Sequence, residues 1–146
     1  YDHGDMARMT PLIKMHTLGS DFLPPSNHSG GLRYHGMSYH LSHIYKLGLM
    51  RAKAYGQKEC FEAGVTFAKQ EGIIPAPEAN HAVKGAIDVA IDCKSTGESK
   101  TILFNLCGHG HFDMQAYADY FDNKLAEDIY NEEEVKKALT SLPNVA

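Results

Sequence analysis

The stretch that most constrains this chain is Asn105-Leu106-Cys107-Gly108-His109-Gly110-His111. It follows Thr101-Ile102-Leu103-Phe104, an apolar run bounded by turn residues, the pattern of a buried strand. It precedes Asp113-Met114-Gln115-Ala116-Tyr117, where Asp113 is suited to cap a helix. A strand, a glycine-bearing turn and a helix start form a ligand-binding corner in α/β folds, at the carboxyl ends of parallel strands. Gly108 and Gly110 allow positive φ and close approach of a flat ligand. Cys107, His109 and His111 add titratable groups to the same corner. The plainer alternative, a loop with two ordinary glycines and solvated histidines, stays open on these residues alone.

The 146 residues suit one domain, with 43% hydrophobic and 22% charged residues as in globular proteins. The net charge of −4 comes without a basic run, which argues against nucleic acid as a partner. No apolar run reaches the ~20 residues of a membrane helix, and the polar start Tyr1-Asp2-His3-Gly4-Asp5 is not a signal peptide. Three widely spaced cysteines, Cys60, Cys93 and Cys107, argue for a reducing compartment, so the expected location is the cytoplasm. The chain opens on Tyr1 without a methionine, cap or strand signal, which reads as a piece of something longer.

Residues 1–40 carry little periodicity and several prolines and glycines, an irregular segment that wants neighbours. A short helix over Leu41–Leu47 ends at Gly48, and Arg51–Tyr55 is a candidate strand. Phe61, Val65 and Ala68 share one face of a helix over Lys58–Gln70, stopped by Gly72. Ile73-Ile74-Pro75-Ala76-Pro77 is an extended link, and Pro77 suits the first turn of a long helix running to Cys93. The wide face of that helix, from Ala82 and Val83 to Ala90 and Ile91, suggests burial beneath a sheet. A helix from Asp113 to about Lys124 follows. Asn131 and Glu134 then resemble a capping box opening a last amphipathic helix before Pro143. Strands alternating with helices predict an α/β fold with a three-layer, mostly parallel sheet flanked by helices, incomplete because the chain is a fragment. Its parts are an irregular segment 1–40, an α/β core 41–125 and a C-terminal helix in 126–146.

Three chemistries compete at the corner. Cys107, His109 and His111 offer metal ligands, although alternating side chains diverge and tight zinc sites need a second ligand cluster. Cys107 at a helix start is a candidate thiolate nucleophile, against the commoner role of an inert cysteine at a strand end. The Gly108–Gly110 amides suit an anion, although no G-x-G-x-x-G or P-loop is present. These residues read without a family do not choose among them, and a stand-alone metal- or small-ligand-binding module using Cys107, His109 and His111 remains an alternative.

Four stretches bear a family resemblance: Met15-His16-Thr17-Leu18-Gly19-Ser20-Asp21-Phe22; His28-Ser29-Gly30-Gly31-Leu32-Arg33-Tyr34-His35-Gly36-Met37; Glu71-Gly72-Ile73-Ile74-Pro75-Ala76-Pro77-Glu78-Ala79-Asn80-His81-Ala82; and Leu103-Phe104-Asn105-Leu106-Cys107-Gly108-His109-Gly110-His111-Phe112-Asp113. In order, and from Tyr1 to about Leu125, they resemble the C-terminal part of the tryptophan synthase beta chain, in the form of its second, divergent subgroup. The resemblance implies a fold type II lyase dependent on pyridoxal 5'-phosphate, joining indole to an aminoacrylate made from L-serine in tryptophan biosynthesis. It implies a homodimer, with a tryptophan synthase alpha chain as a possible partner. The family's Schiff-base lysine, phosphate cup and catalytic acid lie N-terminal to the resembling part. The resemblance therefore implies no catalytic residue within this chain and an inactive fragment. It implies that Glu78 lies by the phenolic oxygen of the cofactor and that Cys107 faces the pyridine nitrogen, where serine is usual and a thiol bonds more weakly. Gly108 and Gly110 match the loop under the ring. Arg33 stands where the main subgroup has an aspartate that helps close the active site. Tyr34 and Gly36 match carbonyls of a monovalent-cation site.

Overall fold

A computed structural model describes residues 1–126 and 131–145. The chain divides into two compact units. One is made of Asn27–Leu32 with 55–126, the other of Tyr1–Ser26, Arg33–Ala54 and 131–145.

In the first unit, α2 (Gln57–Glu71) packs against α3 (Pro77–Thr96), and α4 (Met114–Phe121) packs against α2. Each helix has a local cause. The Gly56 amide donates to Glu59 Oε1 at 2.7 Å, so a first-turn carboxylate satisfies a donor the helix leaves free. Pro77 occupies the first turn of α3, where its missing N–H costs nothing. Gly72 and Gly97 end α2 and α3 in the left-handed conformation, at φ 70° and 73°. The core gathers Phe61, Ala116, Tyr117 and Leu125, with Val65, Ile74 and Tyr120 against it. The Phe61 ring meets Tyr117 edge-on at 5.0 Å and stacks on Tyr120 at 5.9 Å. Burying a large apolar side chain of this kind contributes about 1.5–3 kcal/mol.

The other unit holds α1 (Tyr39–Lys46) and α5 (Glu132–Leu139). The α5 cap is the expected Asn131, whose side chain accepts from the Glu133 amide. Of the C-terminal segment 126–146 assigned to a helix, residues 127–130 and 146 lie outside the described residues. Among the described residues before α1, the 3-10 turn Gly30–Leu32 is the only helical element, and it belongs to the first unit. Gly19, at φ 98°, lies so close to α5 that a Cβ there would stand 2.7 Å from the Ala138 carbonyl oxygen.

The expected parallel sheet is not found among the described residues. Among the described residues there is no ladder, only three isolated antiparallel bridges: Asp2 with Ile13, Thr17 with Gly36, and Pro75 with His109. Residues 101–106 are irregular and pair with no strand among the described residues, and Leu103 is 96% exposed. Residues 51–55 are likewise irregular. An apolar run has strand character only while neighbouring strands take up its N–H and C=O groups, and this chain offers 101–106 none. Of the α3 face read as lying beneath a sheet, only Val83 is buried, by helix packing, and the face emerges into solvent at Ala90 and Ile91.

Candidate functional site

The corner forms where two extended segments meet. The Ala76 amide donates to the Gly108 carbonyl at 2.9 Å, and the Gly110 amide to the Ile74 carbonyl at 2.8 Å, around the Pro75–His109 bridge. Segment 73–77 thereby delivers the chain into α3, while 107–113 delivers it into α4. Asp113 stands at the cap position of α4 as expected, but no bond from its side chain caps the helix; its backbone carbonyl accepts from the Tyr117 amide at 3.2 Å.

The glycines act through space rather than φ. Neither Gly108 nor Gly110 has a positive φ. Gly110 is buried, and a Cβ on it would stand 2.5 Å from the Pro75 carbonyl oxygen and 2.9 Å from Ile74 Cγ2. Only a residue without a side chain lets these backbones approach so closely. A Cβ on Gly108 would meet only the Ala76 methyl, at 3.3 Å.

Glu78 lies in the first turn of α3, where the exposed amides of the helix favour a carboxylate. Its Oε1 accepts the Gly31 amide at 2.8 Å, tying the 3-10 turn to the helix start. A carboxylate accepting one such bond keeps capacity for a further donor. Cys107 is an exposed free thiol one residue before Gly108. Glu78, Cys107, Gly108 and Gly110 thus lie in one compact unit, with the bridge joining the two segments that carry them.

Arg33, Tyr34 and Gly36 belong to the other unit. Arg33 Nη2 donates weakly to the Pro24 carbonyl at 3.5 Å. Gly36 pairs with Thr17, and a Cβ on it would stand 2.6 Å from Met15 Sδ. Tyr34 is exposed beside this pairing, at the rim of a hollow also lined by Leu18 and Met37.

The metal reading finds no support in the geometry. Among the described residues no three or more His, Cys, Asp or Glu side chains converge. His109 Nδ1 instead accepts the His111 amide at 3.2 Å, and the His109 ring packs beside Phe112 at 5.5 Å.

Two residues that the sequence did not single out support the corner from beneath. The Tyr117 hydroxyl donates to the Pro75 carbonyl at 2.6 Å, and Asn80 Nδ2 donates to the Tyr117 hydroxyl at 3.1 Å. Asn80 is fully buried. Burial pushes the Tyr117 hydroxyl above the ordinary tyrosine value; the Asn80 bond pulls it partly back, and the Asp113 charge adds to the rise. The available signals were a polar Asn80 beside Ala79, Ala82 and Val83 in the long helix and a glycine, Gly64, in the interior of α2.

No protein-family model matches the chain. Curated relatives do. The chain is 58% identical over 125 residues to tryptophan synthase beta chain 2 of Methanosarcina mazei, covering 86% of this chain and 28% of that protein. It is 58% identical over 127 residues to tryptophan synthase beta chain 2 of Aquifex aeolicus, covering 87% and 29%. It is 52% identical over 135 residues to tryptophan synthase beta chain 2 of Aeropyrum pernix, covering 92% and 30%. The chain spans less than a third of the length of these relatives. Identity this high, sustained across nearly nine-tenths of the chain, makes it a member of the tryptophan synthase beta chain family.

Proposed function

We propose that this chain is the C-terminal part of an enzyme that condenses L-serine and indole to L-tryptophan by β-replacement, with pyridoxal 5'-phosphate as cofactor. The observation that carries the reading is the 58% identity over 125 residues, a span long enough to contain both walls of the corner. The donor set fits the cofactor. A carboxylate at a helix start, a thiol at the rim and a turn without a side chain at Gly108 suit a flat heteroaromatic ring bearing a hydroxyl and a ring nitrogen.

In this reading Glu78 faces the phenolic side of the ring, Cys107 faces its nitrogen, and Gly108 and Gly110 keep the floor clear. The cofactor, when bound, supplies the electron sink that serine activation needs. A thiol is a weaker hydrogen-bond partner for the ring nitrogen than the usual serine hydroxyl. Arg33 takes part in closing the site over substrate, and the Tyr34 and Gly36 carbonyls contribute to a monovalent-cation site. The whole enzyme is a cytoplasmic homodimer, with a tryptophan synthase alpha chain as a further partner. No helix among the described residues is long and apolar enough to cross a membrane.

Incubating the 146-residue chain with pyridoxal phosphate, reducing with borohydride and mapping the peptides tests the assignment. The expected result is no stoichiometric label on any lysine and no tryptophan formed from serine and indole. A single lysine labelled in full, or turnover by this chain alone, would overturn it. The coding frame upstream of Tyr1 gives an independent check, since the reading requires a lysine motif and a glycine-rich phosphate cup there.

A further inference from the structure

The overall charge of −4 hides a local imbalance. From Phe22 to Lys58 the chain contains no Asp or Glu, and neither does the stretch from Met6 to Ser20. In the unit that holds α1, these two acid-free stretches form the facing walls of a groove with a volume of about 460 Å³. Tyr39, Ser42, His43 and Lys46 recur at helical spacing on one face of α1, and Lys14 and His16 stand on the opposite wall. Among the described residues no carboxylate lines it. The lining is otherwise apolar, from Ile13, Met15 and the Tyr39 ring.

The walls are held in place before any ligand arrives. Ile13 exchanges backbone bonds with Asp2 at 3.0 and 3.1 Å. The His16 carbonyl accepts the Met37 amide at 2.8 Å, and the His16 amide donates to the buried Ser42 hydroxyl at 3.2 Å. The His16 ring meets Tyr45 edge-on at 5.4 Å, and the Lys14 ammonium lies 5.8 Å from the Tyr1 ring centroid. The nearby acid, Asp2, is fully buried and bonded to the His3 amide and the Thr17 hydroxyl. Its oxygens are thereby turned to the protein rather than to the groove.

We propose that this groove is a binding site for a small amphipathic anion, a phosphate or carboxylate head on an apolar or aromatic body. Lys14 and Lys46 take the head, with His16 and His43 as further donors, while Met15, Ile13 and the Tyr39 ring take the body. Two lysines lining a largely apolar groove, with no carboxylate among its described lining residues, can satisfy an anionic head, and the apolar lining adds the burial that a bare inorganic ion cannot exploit. The groove's lining residues belong to the unit that holds α1, whereas Glu78, Cys107, Gly108 and Gly110 belong to the other compact unit.

Heteronuclear NMR of the full 146-residue chain tests this with phenyl phosphate, benzoate, inorganic phosphate and phenol titrated separately. Saturable shifts confined to Lys14, His16, Tyr39, His43 and Lys46 are expected with phenyl phosphate or benzoate, and the tighter of the two identifies the head group. Inorganic phosphate and phenol should each bind about tenfold more weakly or not at all. Lys14→Gln and Lys46→Gln should each weaken the better ligand about tenfold, the loss expected for one charge-assisted bond, with the remaining cross-peaks unmoved. Both lysines are exposed, so neither change disturbs the core. Inorganic phosphate binding as tightly as phenyl phosphate, shifts spread evenly over surface lysines, or unchanged affinity in both variants would overturn the proposal.

Discussion

The hydroxyl of Tyr117 donates to the carbonyl oxygen of Pro75 at 2.6 Å, joining α4 to the segment that opens α3. Asn80 donates to the same hydroxyl, and the whole network is buried. Tyr117→Phe removes the one hydroxyl that serves both and leaves the Pro75 carbonyl and the Asn80 amide unsatisfied. The expected loss is about 1–3 kcal/mol of stability, read by urea denaturation as a lower midpoint with an unchanged slope. A midpoint within error of the parent chain would show that the network contributes nothing.

The same burial sets a pH dependence. The folded chain holds the Tyr117 proton above the ordinary tyrosine value, so the unfolded chain releases it first. As pH rises past about 10 the unfolded state binds fewer protons than the native state, and stability falls. The contribution is intact below that pH and is lost through the folded value above it. Burial also raises the Tyr120 hydroxyl, with the Glu62 charge adding to it, so ultraviolet tyrosinate titration should show a late phase to which Tyr117 contributes, and Tyr117→Phe should diminish that phase by one tyrosine.

Gly64 and Asn80 are in contact closer than any side chain at position 64 would permit. A Cβ on Gly64 would stand 2.1 Å from Asn80 Oδ1 and 2.5 Å from its Cγ. In an exposed helix, Gly→Ala stabilises by about 1 kcal/mol through helix propensity. Here the Asn80 side chain is pinned by Tyr117 and cannot swing aside, so the overlap decides the sign. Gly64→Ala should destabilise by about 1–3 kcal/mol. A rise in melting temperature would mean that α2 and α3 separate easily.

The helices were legible because their causes are local. Phe61 and Val65 mark one face, Pro77 opens α3, Asn131 caps α5, and Gly72 closes α2 with left-handed geometry. The sheet was misread for the opposite reason. Ile102 and Phe104 look like strand residues, but pairing depends on a partner elsewhere in the chain, and local pattern cannot report whether one exists. The corner itself was legible from Gly108 and Gly110, although its mechanism was not. The missing side chain of Gly110 serves its close approach to Pro75 and Ile74, and neither glycine has a positive φ. The Glu78–Gly31 bond, between residues 47 apart, and the Tyr117–Pro75 bond, between residues 42 apart, join positions that no periodicity connects.

Glu78 is the tie between the 3-10 turn and α3. Removing its carboxylate in Glu78→Ala takes away the acceptor of the Gly31 amide, and hydrogen exchange at Gly31 should quicken toward that of an open loop. Glu78→Gln keeps a side-chain acceptor of the same length and should retain most of the protection. Equal exchange in all three chains would mean that the bond does not hold the turn in solution.

Three glycine substitutions separate the ways in which this residue type is used here. Gly72→Ala places a Cβ in open space but at φ 70°, so its cost is conformational and about 1 kcal/mol. Gly108→Ala meets only the Ala76 methyl at 3.3 Å with an ordinary φ, and should cost less than about 1 kcal/mol, since a methyl can be accommodated by a small shift. Gly110→Ala drives a methyl to within 2.5 Å of the Pro75 carbonyl oxygen and 3.1 Å of the Tyr117 ring. Backbone cannot rotate away as a side chain can, so the Gly110–Ile74 and Ala76–Gly108 bonds must lengthen together. The expected order of destabilisation is Gly110 first, by about 1–3 kcal/mol, then Gly72, then Gly108. Only the Gly110 change should also quicken hydrogen exchange at the Ala76 and Gly110 amides, because only it separates the two segments. Gly108→Ala costing more than Gly110→Ala would mean that the close approach of these backbones is not what requires glycine at the corner.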